Sequence, residues 1–369
     1  MKKTIQIFAT VLIALVFLSF DTKDENNYGM TLGTPDLKSI SNLAFGPDGI
    51  LFIGDSRGAS IIALNTGDKS VVATPAKVEI KNADQKIAAA LGTEPANIRI
   101  KDMVVNPLSK KIYCGVEVAD GTPVILTISG EDIALVKMDN VLFSETDIAL
   151  VHPEDQKDRG GRPLRDQSIS DMAYSNGHLL VSGISTKEFS STFRKIKFPF
   201  SNVQDHATLE IFHAAHGKYE TNSPIRTFTS STINGKEYLI ASYTCTPLVL
   251  FPMDQLKSGE HVKGRTIAEF GAGNSPIDIV TIKKGDNTYL VMANNNRPVM
   301  RVNYNNIAAY QGNLTEPIKE SFSTAGVDFV TLPVVNVLQM DQMDDKTVVV
   351  LQRKSNGDLD INTLNDWYF

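Results

Sequence analysis

The sequence predicts an all-β chain folded as a six-bladed β-propeller of four-stranded blades, its ring closed by joining N- and C-terminal strands. Three observations predict it. A strand–turn–strand unit recurs six times, beginning near Ile40, Ile100, Ile169, Ile225, Ile277 and Val335, at spacings of 52 to 69 residues. Four strands of about six residues with short turns fill such a period. The turns inside the pairs are built from Gly, Pro, Asn and Asp, the hairpin signature. A third β-prone run follows each pair, and three of these share a pattern: TPVILTI from 122, TPLVLFP from 246 and RPVMRVN from 297.

Taken in order, the chain opens with MKK, an apolar run TIQIFATVLIALVFLSF and an abrupt polar exit, DTKDENN. Residues 1–20 therefore read as a signal peptide. The run falls short of the roughly 20 apolar residues of a spanning helix, so the mature chain is expected to be secreted or periplasmic without a membrane span, and membrane-anchored if the segment stays uncleaved. Residues 21–369 are expected to form a single domain. Blade one starts at ISNLAFGPDGILFIGDSRG, and NADQKIAAALGT from 82 reads as a short helix before blade two. Fourth strands are expected at KSVVAT, IALVKM, ATLEIF and GRTIAEF. Blade six lacks its own, and NYGMTLGT near residue 28 is expected to supply it. Cys114 and Cys245 fall in non-adjacent blades, so no disulfide is expected.

The stretch LAFGPDGILFIGDSRG, with its F-x-P-D-G turn and following apolar strand, resembles the repeat of the NHL and SMP-30/gluconolactonase-like propellers. The resemblance implies the six-bladed fold. In SMP-30-like lactonases it also implies one divalent metal at the channel mouth, held by a glutamate, asparagines and an aspartate. The early E-G-P-x-W motif of those lactonases is absent, and SISNLAF stands in its place.

A propeller offers its ligand site where the innermost strands reach the channel mouth. Aligning those strands places Asn42, Asp102, Asp171, Arg226, Asp278 and Asn336 in a ring there, with Arg297 on an adjoining loop; these are the expected ligand-binding residues. The same positions also suit turn capping by side-chain hydrogen bonds. The long polar loop from 152 is expected to fold over the mouth as a lid. The loop HAAHGKYETNSPIR, between blades three and four, carries the densest chemistry. A helical turn over HAAHGK would put His213 and His216 on one face, where two imidazoles form half of a transition-metal site. Lys218, Glu220, Tyr243 and Cys245 complete the candidate catalytic set.

The net charge of −6 argues against a nucleic-acid partner. No G-x-S-x-G elbow, P-loop or H-E-x-x-H occurs. Three function classes remain: a non-catalytic propeller binding a small molecule, glycan or protein on the mouth face; a metal-dependent hydrolase, lactonase-like or lyase enzyme; and a redox protein holding a transition metal on His213, His216 and Cys245. One divalent metal ion is the cofactor the latter two would share.

Overall fold

Six antiparallel sheets, one per blade, stand around a central channel in the computed structural model, which describes residues 27–201 and 203–369. The segment read as a signal peptide lies outside these residues. Among them, no helix is long and apolar enough to cross a membrane.

Blade one is built from Leu43–Phe45, Ile50–Asp55 and Ser60–Asn65, running outward from the channel. Its first turn shows why the sequence reads Pro-Asp-Gly. Asp48 and Gly49 both take the left-handed conformation, with φ of 52° and 72°. A Cβ on Gly49 would lie 2.5 Å from the Asp68 carbonyl oxygen, so only glycine fits. Blade two runs Ile98–Val105, Ile112–Val118, Pro123–Ser129 and Asp132–Leu135. Blade three runs Asp171–Ser175, His178–Ile184, Ser191–Lys197 and Gln204–His213. Blade four contributes Thr227–Ile233, Lys236–Ser242, Pro247–Pro252 and Arg265–Glu269. Blade five contributes Pro276–Lys284, Asn287–Asn294, Met300–Asn303 and Val330–Thr331. Blade six has Val337–Asp344, Thr347–Arg353 and Leu359–Asn365.

The blades do not follow one another round the ring in chain order. Apolar clusters fill each seam between neighbours, and they pair blade one with blades two and three, and blade two with blade six. The remaining seams join three to four, four to five and five to six. The circular order is therefore two, one, three, four, five, six. The cause is a crossed connection. The fourth strand of blade one is Val141–Asp147, which the chain reaches only after completing blade two. Its first three strands come from the amino-terminal end instead.

Ring closure differs from the expected one in the segment used. Glu79–Ile80 pairs with Leu359–Asn365 as the fourth strand of blade six, with Ile80 opposite Ile361 and fully buried. The segment near residue 28 lies elsewhere: Thr31–Gly33 adds a fifth strand outside Val141–Asp147 on blade one. KSVVAT forms no strand, because residues 66–78 cross from blade one to the edge of blade six. The helix Ala83–Ala90 follows, its Ala83 and Ile87 packed into the seam between blades two and six. Both cysteines are free, Cys114 buried in the second strand of blade two.

Candidate functional site

Among the described residues the innermost strands of neighbouring blades share no sheet hydrogen bonds, so their N–H groups facing a seam need other acceptors. Aspartates supply them. Asp102 of blade two accepts the Leu43 N–H of blade one at 2.6 Å. Asp171 of blade three accepts that of Phe228 in blade four at 2.8 Å. Asp278 of blade five accepts that of Met340 in blade six at 2.6 Å, and Asp341 of blade six that of Val105 in blade two at 2.6 Å. Burial pushes Asp102 up to about 6, Asp341 to about 7 and Asp171 to about 8; for Asp341 and Asp171 the charge of Asp102 adds to it. Asp278 is raised well above its ordinary value for the same reasons. The channel wall thus carries less negative charge near neutrality than four carboxylates would suggest. Three of the expected ring residues are inter-blade latches.

Two other ring positions need correction. Asn42, Asp102 and Asp171 each end an Ile-x-Asn/Asp triplet, and the matching triplet in blade four is Ile225-Arg226-Thr227. Thr227 therefore takes the latch position, and Arg226 stands one residue before its strand. Asn336 lies outside the mouth; its carbonyl accepts the Arg353 N–H. Gln339 lines the mouth in its place and donates to the Lys101 carbonyl. Arg297 also lies outside the cavity, with a guanidinium N–H donating to the Ala272 carbonyl.

At the mouth the channel widens into a cavity of about 410 Å³. Its wall includes Asn42, Asp102, Arg226 and Asp278, joined by Lys101 and Arg57, and holds no aromatic side chain. Arg57 is engaged by Glu117 at 3.0 Å. Arg226 and Lys101 are different: neither side-chain cation has a hydrogen bond or ion pair with the described residues. Burial lowers the Arg226 pKa, the charge of Arg162 adds to this, and Asp171 opposes it. The loop from 152 does rim the opening. Its short helical turn Leu164–Gln167 brings Asp166 and Gln167 to the wall, and Arg165 donates to the Arg57 carbonyl at 2.9 Å.

The loop after blade three lies off this axis. His213 ends a strand and Lys218–Glu220 returns antiparallel to it, so HAAHGK is the tip of a β-hairpin rather than a turn of helix. The His216 N–H donates to the His213 carbonyl at 3.0 Å, and this tight turn still brings the two rings together, tilted by 41° with centroids 3.9 Å apart. Glu220 receives both: its Oε2 is 2.9 Å from His213 Nδ1 and its Oε1 2.8 Å from His216 Nδ1. Burial pushes the Glu220 carboxyl up, but the bonds and charges of the two imidazoles outweigh it and hold the group at about 2. Lys218 is exposed, 3.6 Å from Glu220. Tyr243 is buried in the seam between blades three and four. Cys245 reaches the histidines from blade four: one ligand atom from each of His213, His216 and Cys245 lies within 4.8 Å of the others.

Sequence reasoning missed Lys101, Asp341 and Glu269. The last is fully buried at the end of blade four's outer strand. Burial raises its carboxyl to about 8, the neighbouring charge of Glu220 adding to it against two backbone hydrogen bonds. No sequence signal marks Glu269, since TIAEF reads as an ordinary strand.

No protein-family model matches the chain, and no curated protein matches it in sequence. Solved structures do. The PQQ-bound form of aldose sugar dehydrogenase from Streptomyces coelicolor is 12% identical, with TM-score 0.36, covering 91% of this chain and 96% of that one. A putative oxidoreductase (glucose dehydrogenase) from Thermus thermophilus is 14% identical, with TM-score 0.32, covering 91% and 100%. Raptor from Chaetomium thermophilum is 11% identical, with TM-score 0.33, covering 91% of this chain and 26% of that one. Similarity at this level carries no argument about activity.

Proposed function

We propose that this chain is an exported propeller that binds a small, strongly polar anionic molecule in its mouth cavity. One observation carries the reading: Arg226 and Lys101 face a cavity of about 410 Å³, and neither side-chain cation is engaged in a hydrogen bond or ion pair with the described residues. A guanidinium presents a planar fork of donors suited to a carboxylate or phosphate, and lysine adds a point charge. The volume sits at the lower end of small-molecule sites, about 300–1,000 Å³. The wall is predominantly polar, and without aromatic rings it supplies no stacking platform for a glycan or a base. The lid turn at Leu164–Gln167 supports enclosure of the ligand.

Calorimetric titration with sugar acids, sugar phosphates and dicarboxylates tests this. At least one class is expected to bind, and Arg226→Gln to weaken it about tenfold or more, which is ~1.4 kcal/mol. Recovery of the compound unchanged would mark a binding protein, and turnover the hydrolase alternative. Undiminished binding to Arg226→Gln and Lys101→Gln would overturn the reading.

A further inference from the structure

The mouth cavity leaves the histidine pair unused, and the polar atoms around that pair are not satisfied by one another. Each Nδ1 faces an oxygen of the same carboxylate, Glu220, at 2.9 and 2.8 Å. A carboxylate accepts only, so each Nδ1 carries the proton and each Nε2 keeps a free lone pair; this tautomer is assigned from the partner. His213 Nε2 is buried and has no hydrogen-bond partner among the described residues. Glu269 Oε1, also buried and without a hydrogen-bond partner among the described residues, lies 3.8 Å from it, too far for a hydrogen bond. Buried polar atoms are seldom left so, and two facing each other mark a place for a third body.

The thiol is brought there by a strained backbone. Cys245 and Thr246 are both left-handed, with φ of 67° and 59°, a conformation unusual for any side chain and more so for a β-branched one. Three bonds hold it: the Cys245 N–H to the Asn274 carbonyl at 2.7 Å, the Thr246 N–H to the Tyr243 carbonyl at 2.9 Å, and the Thr246 hydroxyl to the Gly271 carbonyl at 3.0 Å. Such strain costs roughly 1–3 kcal/mol per residue and persists where the surroundings over-determine it. Here it presents Sγ to the two imidazoles.

We propose that His213 Nε2, His216 Nε2 and Cys245 Sγ bind a late first-row transition-metal ion of the zinc and copper class, with Glu269 Oε1 as the fourth ligand. Glu220 is a positioning residue: it orients both rings through Nδ1, as carboxylates do behind metal-bound histidines. The donor set is borderline-to-soft, which excludes calcium and magnesium as preferred ions. Donors around a tetrahedral ion stand about 3.5 Å apart, so a set within 4.8 Å must contract by roughly 1 Å. His216 is half-exposed and sits on a hairpin tip, which permits that movement. Binding displaces the thiol proton of Cys245 and the proton carried by the Glu269 carboxyl, and both are released to solvent.

The test uses untagged full-length protein, stripped of metal and titrated with zinc and, as a spectroscopic stand-in, cobalt(II). One equivalent of each is expected to bind, and cobalt to develop the thiolate-to-metal charge-transfer absorption of a Co–S bond. Cys245→Ser should abolish that absorption, and His216→Ala should weaken zinc binding at least tenfold. Both sites are partly exposed, so both variants should remain folded. Glu220→Gln should keep the Co–S absorption while lowering affinity about 10–100-fold, the usual effect of losing a supporting carboxylate. A folded wild type that takes up no stoichiometric zinc or cobalt would overturn the proposal. So would uptake that is unchanged in Cys245→Ser and His216→Ala, because the ion would then sit elsewhere.

Discussion

Replacing Asp102 by alanine probes the latch that joins blades two and one. The carboxylate accepts the Leu43 and Met103 N–H groups at 2.6 and 2.8 Å. Each N–H left unpaired in a buried position costs about 1–3 kcal/mol, so the loss amounts to ~2–6 kcal/mol, at the low end where cavity water reaches the site. Against it stands the cost of a buried charge. Burial raises Asp102 from 3.8 to about 6. At ~1.36 kcal/mol per pH unit, the ionised group subtracts about 3 kcal/mol from wild-type stability at pH 8. Because the folded pKa is the higher one, the folded chain holds the proton more tightly. The contribution is complete below pH 3.8 and is lost as pH rises through about 6. Roughly half of the cost applies at about pH 5. The alanine variant has nothing to titrate there, so its deficit relative to wild type should be larger at pH 5 than at pH 8 by about 1.5 kcal/mol. Urea denaturation at both pH values measures this. Far-UV circular dichroism is the better probe, because the single tryptophan, Trp367, is 78% exposed. A deficit independent of pH, or larger at pH 8, would refute the assignment of a raised, latch-bearing carboxyl.

Three further outcomes follow from the same structure. Ile80→Ala, at the strand that closes the ring on blade six, should cost about 2–5 kcal/mol by thermal or urea melting, since Ile80 is fully buried against Ile361; a loss within ~0.5 kcal/mol would mean that closure does not depend on this strand. Thiol labelling of the native protein should modify Cys245 well before Cys114, whose thiol burial pushes up to about 12; equal rates would contradict the blade-two placement of Cys114. Tm of the wild type should fall as pH rises from about 5 to 8, because Asp102, Asp171, Asp341 and Glu269 all have raised values that disfavour their charged forms in the fold; a Tm that climbs steadily over that interval would show these carboxyls to be ionised without cost.

The blade count was legible because each hairpin carries its own punctuation: Pro47-Asp48-Gly49 in blade one, Asn176-Gly177 in blade three and Asn234-Gly235 in blade four turn the chain where they stand. The order of blades was not legible. Nothing in the local pattern of Val141–Asp147 says that it returns to Ser60–Asn65 rather than opening a new blade; that choice is made by which seam its neighbours fill. The closing strand was missed because Glu79–Ile80 is two residues long, below any readable period. At the site, the one-residue displacement of Arg226 arose from aligning polarity instead of the Ile-x-Asp spacing. The correct alignment puts Thr227 at the seam and leaves the arginine free beside the cavity. The pairing of His213 and His216 with Cys245 had a partial signal in the spacing of the histidines. The thiol's approach depends on two left-handed residues that sequence does not announce.

The measurement that bears most directly on the function is a crystal structure of the protein with the tightest-binding anion from the titration. The anionic group is expected within hydrogen-bonding distance of the Arg226 guanidinium and near Lys101 Nζ, with the rest of the molecule among Asn42, Gln167 and Asn295. An anion bound on the opposite face, or at the mouth but away from both cations, would contradict the proposed function.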